Sequence, residues 1–373
     1  MILQKEKYSY IYDSLRKDII SGRYKGKLPP DKVLAESFGV SRPTVAKALS
    51  ELQQEQLVNR RAGAGTFVRF QPAANETKTL GLLIPELGET EIFGPICSQI
   101  AYVAKTNHFN LLWGGSGNNR DEHIRREDAR QLAERYVAQR IAGVFFVPQP
   151  LISEHDDLNQ IITNSFDKEG IAVVLLDRDI VNFPERSKYD VVGIDNFRAS
   201  YVLTQHLLHC GCKNIRFIAK PRLSSTVSLR KDGYCKAIAE AGITYGAPHT
   251  HFVDVNDKDL IIGLMDKNKD TDGIICANDD IAAIIIQHLT ASGYKIPETI
   301  QVIGFDDVKY ARLLHIPLTT YHQPCTDIGN VAMDLMSSRL NNPTLPPRFV
   351  CLDGKIVVRN TTMPQGQMVT QRQ

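Results

Sequence analysis

This 373-residue chain lacks several features that would narrow its chemistry at once. It never runs apolar for the ~20 residues that a membrane-spanning helix requires. Its amino terminus has no apolar signal core: Met1-Ile2-Leu3 gives way to Gln4-Lys5-Glu6-Lys7, so a cytoplasmic location is expected. Its seven cysteines are an odd number with no CxxC pair, which argues against a disulfide framework and agrees with a reducing compartment. No GxSxG elbow is present; Gly115-Ser116-Gly117 reads as a strand-end loop. Internal repeats and low-complexity tracts are missing too. Net charge is only +2, with 43% apolar and 23% charged residues, the composition of a soluble globular protein with room for two or three domains.

The small net charge conceals a division. Residues 1–70 hold 13 Lys and Arg against 7 Asp and Glu, and the remainder holds 31 against 35. A basic head on a slightly acidic body suits nucleic-acid binding, although a solvated surface can carry the same excess. Within the head, Tyr8, Ile11, Tyr12, Leu15, Ile19 and Ile20 form one helical stripe over 8–22, closed by Gly22. Pro29-Pro30-Asp31 starts a short second helix, with Asp31 as the expected N-cap. Gly39 ends it. Ser41 is placed to cap a third helix, whose first turn tolerates Pro43 and whose buried stripe is Val45, Ala48, Leu49 and Leu52. Residues 57–60 and 66–70 read as two strands around the glycine turn Arg61-Ala62-Gly63-Ala64-Gly65.

Three helices and a two-stranded wing form a winged helix–turn–helix, which lays its recognition helix in the major groove. Ser41, Arg42, Thr44 and Lys47 then face the bases. Arg42 can fork onto guanine O6 and N7, while Ser41 and Thr44 reach phosphate or a thymine methyl. Lys32 would sit over the backbone; Gly63, Ala64 and Gly65 let the wing tip approach the minor groove, with Arg60 and Arg61 supplying charge. A small helical domain with a solvated basic face is the bland alternative. The agreement of helix, capped helix, glycine turn, Ser-Arg-Pro-Thr helix and hairpin in one order favours DNA.

Residues 71–78 have no apolar period and read as a linker between a 1–70 head and a 79–363 body; the Gln-rich tail, 364–373, is expected to be disordered. In the body, apolar β-branched runs recur at 80–84, 110–113, 144–147, 172–176, 191–194, 215–219, 273–276 and 302–305. Helical stretches at 96–106, 127–139, 197–209, 230–241 and 279–291 separate most of them. That alternation predicts an α/β body with parallel sheets covered on both faces, and ligands beyond the carboxyl ends of the strands. The runs end in Asp177-Arg178, Asp195-Asn196, Asn278-Asp279 and Asp306-Asp307.

Residues 8–69 resemble the winged helix–turn–helix of the GntR superfamily. The resemblance rests on Leu28-Pro29-Pro30-Asp31-Lys32-Val33-Leu34-Ala35, Gly39-Val40-Ser41-Arg42-Pro43-Thr44-Val45, Ala48-Leu49-x-x-Leu52 and Gly63-x-Gly65-Thr66-Phe67-Val68. The family usually has Ser-Glu-Arg at Pro30-Asp31-Lys32 and a basic residue between the wing glycines, where this chain has Ala64. Residues 79–363 resemble the effector domain of LacI/GalR repressors, relatives of type I periplasmic sugar-binding proteins. The motifs are Val173-Val174-Leu175-Leu176-Asp177-Arg178, Val192-Gly193-Ile194-Asp195-Asn196, Ser224 to Arg230 with Gly233-Tyr234, Cys276-Ala277-Asn278-Asp279, Val302 to Asp307, Pro317-Leu318-Thr319-Thr320 and Gln323-Pro324. Joined to a GntR head, such a domain is similar to the arabinose-repressor-like regulators.

The resemblance implies two lobes linked by three crossings: about 79–193 with 324–345, and about 194–322 with 346–363. It implies an effector held by Asp177, Arg178, Arg230, Asn278 and Asp306, with Phe93 as an aromatic platform ahead of Trp113 and Phe305. Asp195 and Gln323 fall near the crossings. Such a set suits vicinal sugar hydroxyls, which carboxylates, amides and guanidinium groups bind in pairs. Asp279 and Asp307 read equally well as helix caps or hinge hydrogen-bonders, and Arg230 as a helix-anchoring ion pair. The expected assembly is a homodimer on pseudo-palindromic double-stranded operator DNA, released by a monosaccharide, L-arabinose first, with no cofactor, metal, membrane or catalysis. The rivals are an effector domain that reads a partner protein or a non-sugar ligand, and a sugar-modifying enzyme fused to a DNA head, for which no nucleophile–base constellation speaks.

Other patterns carry less. Gly22-Arg23-Tyr24-Lys25-Gly26-Lys27 is one residue short of a phosphate loop. His206-x-x-His209-Cys210-Gly211-Cys212 has zinc-like ligands but falls on a helix end and its capping turn, and His249-x-His251 is weaker still.

Overall fold

The structure, a computed structural model, describes residues 2–20, 23–24, 26–55, 57–61, 65–68, 77–84, 92–114, 122–151, 156–221, 224–244 and 249–363, with backbone alone at 2–7, 20 and 122. Most of the expected linker, the expected tail, Gly63 at the wing tip and the 115–117 loop lie outside the described residues. The chain divides into two units, Met1–Thr77 and Lys78–Gln373.

The first unit packs three helices against a small sheet: α1 (Ile2–Ile20), α2 (Asp31–Ser37), α3 (Arg42–Gln54), β1 (Val58–Arg61) and β2 (Gly65–Val68). Ile11, Leu15 and Ile19 of α1 meet Leu34 of α2 and Val45, Ala48, Leu49 and Leu52 of α3 in one buried cluster, the stripes that the spacing predicts. Gly39 turns the chain between α2 and α3 at φ +62°, a conformation that costs side-chain-bearing residues roughly 1–2 kcal/mol. Asp31 is not the N-cap of α2. Pro30 occupies that position, and Asp31 is the first helical residue, where its carboxylate takes a hydrogen bond from Arg60 at 2.7 Å.

β1 and β2 pair antiparallel, from Val58 opposite Val68 to Arg61 opposite Gly65. A third segment joins them. Leu28 N donates to Thr66 O at 2.9 Å, Val68 N donates to Gly26 O at 2.6 Å, and Lys27 lies opposite Phe67.

The second unit contains two six-stranded sheets. The first is built from β3 (Thr79–Leu83), β4 (Asn110–Trp113), β5 (Gly143–Phe146), β6 (Ala172–Leu176) and β7 (Asp190–Ile194), with helices α4 (Phe93–Thr106), α5 (Glu122–Ala138) and α6 (Leu158–Lys168). The second contains β8 (Ile215–Ala219), β9 (Thr250–Phe252), β10 (Gly273–Cys276), β11 (Gln301–Asp306) and β12 (Thr319–His322), with helices α7 (Asn196–His209), α8 (Ser225–Glu240), α9 (Lys258–Lys267) and α10 (Asp279–Ala291). The chain then returns through α11 (Cys325–Asn341), which packs on α4, β6 and β7, to β13 (Phe349–Leu352). It crosses a last time into β14 (Lys355–Val357).

Sheet orders are β13-β7-β6-β5-β3-β4 and β14-β12-β11-β10-β8-β9, parallel throughout except β14, which runs antiparallel to β12. Central strands such as β7, β8 and β11 are buried along their whole length, as strands covered on both faces must be.

The expected lobe boundary at 346 is wrong. β13 pairs with β7, Phe349 opposite Val191 through Leu352 opposite Ile194, so the third crossing falls at Asp353-Gly354. The wholly buried Asp190 fixes this edge: it accepts from Arg348 N at 2.8 Å and from Arg339 Nη2 at 2.8 Å.

Candidate nucleic-acid interface and effector site

Arg42 is the first residue of α3 and is exposed; Pro43 follows where a backbone N–H has no helical partner to lose. Ser41 stands at the N-cap position, yet its hydroxyl bonds the Thr44 hydroxyl at 2.8 Å instead of capping the backbone. The pair presents two hydroxyls beside Arg42 on the exposed first turn. Burial of Val45, Ala48, Leu49 and Leu52 anchors the opposite face of the helix.

Lys47 is exposed one turn on, with its ammonium 4.8 Å from the Tyr8 ring of α1. The Tyr8 hydroxyl is itself pushed up to about 12, mainly by burial and then by the Glu51 carboxylate. Lys32, on α2, lies 4.0 Å from Glu36. Arg61, on β1, sits 5.2 Å from the Phe67 ring, and Gly65 opens β2 at φ +104°.

Arg60 does not supply charge at the wing surface. It is half-buried, donating Nη2 to Asp31 Oδ2 at 2.7 Å and Nη1 to Ala46 O at 3.2 Å, so it ties the wing to α2 and α3. Period-two alternation accounts for the difference: Arg60 points to the core side with Val58, and Arg61 points outward.

In the second unit, Asp177 follows β6, Asp306 ends β11 and Asn278 lies two residues past β10, all at carboxyl ends of parallel strands. Arg178 and Arg230 join the two aspartates as nearly buried charges: Arg178 is 8% exposed, Arg230 5% and Asp306 8%. Asp177 Oδ2 receives Arg178 Nε at 3.1 Å. Arg230 Nε donates to Asn196 Oδ1 at 2.8 Å and Nη1 to Ala277 O at 2.6 Å, with Nη2 3.7 Å from Asp306 Oδ1. Gln323 Nε2 donates to Asp306 Oδ1 at 2.7 Å. Asp177 and Asp306 adopt φ +70° and +107°, left-handed backbone that costs about 1–3 kcal/mol per residue and collects at ligand sites.

Electrostatics link the two sheets here. Burial raises the Asp306 carboxyl above the usual carboxylate range and the Asp177 charge adds to the rise, while Arg230 and Gln323 oppose it. Cys325, at the start of α11, is pushed up to about 12 by burial and then by Asp306, with Asp177 and Asp307 adding. One group of charges therefore contains residues from the first sheet, the second sheet and the Gln323-Pro324 crossing.

The other expected residues divide. Asn278 is the N-cap of α10, its Oδ1 accepting from Ile281 N at 2.9 Å, which leaves the amide nitrogen as its remaining donor group. Asp279 is wholly buried and accepts from the Thr320 hydroxyl at 2.6 Å and Val308 N at 3.1 Å; burial and then Asp306 hold its carboxyl well above the usual range. Asp307 pairs with Arg359 and with His322 Nδ1 at 2.9 Å. Both belong to the framework.

Phe93 is not gathered into this group of charges by any described polar contact. It is wholly buried at the head of α4 within the apolar core. The ring that touches the charges is Phe305, 4.3 Å from the Arg230 guanidinium. Period-two alternation along β11 could have put Phe305 and Asp306 on opposite faces, but the positive φ at Asp306 breaks that pattern. Asn196, which orients Arg230, is foreshadowed only by the polar Asp195-Asn196 end of its strand.

Comparison with known proteins follows the same division. Residues 7–68 match the model for bacterial regulatory proteins of the gntR family, and residues 204–362 match the periplasmic binding protein-like domain. The HTH-type transcriptional regulator RegA of Clostridium saccharobutylicum is 28% identical over 89% of this chain and 98% of its own length. The arabinose metabolism transcriptional repressor of Halalkalibacterium halodurans is 25% identical over 95% of this chain and 96% of its own. Among solved structures, a LacI family transcriptional regulator from Enterococcus faecium with bound ribose superposes with a TM-score of 0.63 at 21% identity, covering 77% of this chain and 99% of that one. The chain thus carries a GntR-type helix–turn–helix domain joined to a periplasmic-binding-protein-like domain of the LacI-type fold.

Proposed function

We propose that this protein is a transcriptional repressor of carbohydrate-use genes, bound to operator DNA as a homodimer and released by a neutral monosaccharide, with L-arabinose the first to test. The observation that carries the sugar reading is a charge-balanced set: Asp177, Arg178 and Asp306 at strand ends of both sheets, with Arg230 from α8. Each guanidinium already has an acceptor in the protein, Arg178 on Asp177 at 3.1 Å and Arg230 on Asn196 and Ala277 O at 2.8 and 2.6 Å. A phosphorylated sugar would need a cation to spare. A neutral polyol instead donates hydroxyls to the carboxylates and accepts from the guanidinium edges. The arabinose repressor among the relatives and the ribose in the related fold point the same way.

Arg42 and the Ser41–Thr44 pair read the major groove. Two heads in a dimer match half-sites about one helical turn apart, and sugar in the body releases them to the extent that it binds the non-DNA state more tightly.

A thermal-shift screen of L-arabinose, D-xylose, D-ribose and their phosphates, paired with operator gel shifts, tests this directly. The free sugar is expected to raise the melting temperature and release DNA. Stabilisation by the phosphate alone, or turnover of the sugar, would refute the reading.

A further inference from the structure

We propose that Lys27, in the segment before α2, is a DNA-phosphate contact of the wing and takes the place of the basic residue that Ala64 does not provide. The proposal rests on the DNA-binding reading of the first unit. Lys27 lies directly opposite Phe67 on β2, and Asn59 lies opposite Phe67 on the other side. Residues opposite one another across antiparallel strands project from the same face, and residues two apart along a strand do likewise. Lys27, Phe67, Asn59, Arg61 and Gly65 therefore share one face of the three-segment wing. Leu28, Val58, Arg60 and Thr66 share the other.

Burial agrees. Lys27, Asn59, Arg61 and Gly65 are exposed, whereas Leu28, Val58 and Thr66 are buried. Phe67 is the platform on the outer face: the Lys27 ammonium is 5.7 Å and the Arg61 guanidinium 5.2 Å from its ring centroid. Gly65 leaves room for the lysine stem, since a β-carbon there would come within 2.8 Å of Lys27 Cε.

Charge pairing then sorts the cations of the unit. Arg16, Arg23, Lys32 and Arg60 each have a carboxylate within 4.0 Å. Among the described residues, Lys27 and Arg61 have none, and neither do Lys17 on α1 or Arg42 and Lys47 on α3. A cation with no acidic neighbour gives up little when it moves onto a phosphate and releases a counterion. Two such cations on one aromatic ring, beside the φ +104° glycine of the wing, make a phosphate-tracking edge.

The test is duplex binding by the full chain as a function of salt. The probe is a labelled random-sequence DNA duplex of about 30 base pairs, so that backbone contacts are read without knowing the operator. Lys27→Gln should weaken binding about fivefold near 0.1 M KCl and reduce the slope of log K against log salt by about 0.9, one phosphate's worth. Lys27→Arg should restore both. Lys17→Gln, which removes an exposed charge from the last turn of α1, should change neither. An unchanged slope in Lys27→Gln, or an equal loss in Lys17→Gln, overturns the proposal while leaving the DNA reading standing. A loss of slope in Lys27→Arg overturns it in favour of a packing role. Failure of the unmodified protein to bind any duplex overturns the DNA reading itself.

Discussion

Replacing Asp306 by Asn should stabilise the sugar-free protein and at the same time weaken its response to sugar. The carboxylate is 8% exposed, and its proton affinity is raised by burial more than Arg230 and Gln323 lower it. An acid whose folded pKa lies above its unfolded value of about 3.9 stabilises neither state below that value, and costs the fold progressively more as pH rises to the folded pKa. The cost is therefore larger at neutral pH than at acid pH, and the carboxyl opposes folding there.

Asn keeps an oxygen for Gln323 Nε2, which now sits 2.7 Å away, tolerates left-handed backbone better than most residues, and removes the charge. The expected gain at pH 7 is about 1 kcal/mol, typical when a functional group under tension is replaced, or roughly 2 °C in a unit of this size. The same change deletes a charge-assisted acceptor for sugar hydroxyls, worth about 1.5–3 kcal/mol, so affinity should fall about 10- to 150-fold. Melting curves from pH 5 to 8, with and without L-arabinose, read both effects. The gain over the unmodified protein should shrink as pH falls toward the ordinary carboxylate range. A variant that melts lower at pH 7, or that keeps the full sugar-induced shift, would show that Asp306 is a framework acid like Asp279.

Three further outcomes follow from the contacts. Arg42→Ala should weaken operator binding by about 1–3 kcal/mol in a gel-shift titration and leave the sugar-induced melting shift intact, since its side chain is exposed on the recognition helix. Arg60→Ala should lower the melting temperature of the first unit by removing bonds worth about 1–2 kcal/mol to Asp31 and Ala46 O, and should leave the salt slope of DNA binding unchanged in the fraction that remains folded. Asp190→Ala should cost about 3–5 kcal/mol by removing the buried carboxylate that Arg339, Arg348 and the Arg348 N–H share at the start of β7, which denaturant unfolding of the body would measure.

What could be read from the sequence and what could not have the same physical origin. Periodic burial is written locally: Ile11, Leu15 and Ile19 announce α1, and Ala172–Leu176 and Ile215–Ala219 announce buried parallel strands to the residue. Strand-end polarity likewise marks Asp177, Asn196 and Asp306. Features set by a distant partner are not written locally. Arg60 and Arg61 are adjacent and chemically identical, and only the pairing of β1 with β2 sends one to Asp31 and the other to Phe67. The strand at Phe349–Leu352 is short, half exposed, and defined by the Asp190 carboxylate of a strand about 160 positions earlier in the chain. Lys27 gave no sign because a single bridge to Phe67 leaves no pattern of its own.

The same distinction bears on how effector binding can be transmitted through the body. Asp306 is bound by Gln323, the last residue before the second crossing, and the other two crossings are tied to each other: Asp195 accepts from Arg198 N at 2.9 Å, and Arg198 Nη1 donates to Asp353 at 2.8 Å. Tyr321, on the strand leading to the second crossing, accepts from Gly354 N at 2.9 Å within the third. A sugar hydroxyl that bonds Oδ1 of Asp306 shares that oxygen with Gln323, so its binding bears on a contact of the crossing. Loss of the Gln323 bond to this charged acceptor would be worth about 1.5–3 kcal/mol, and population shift allows no more differential than that for each contact so lost. That range matches the 5- to 150-fold coupling typical of allosteric pairs. A lever of that strength needs no rearrangement of the sheets, only a change in how Asp306 is shared between the crossing and the ligand.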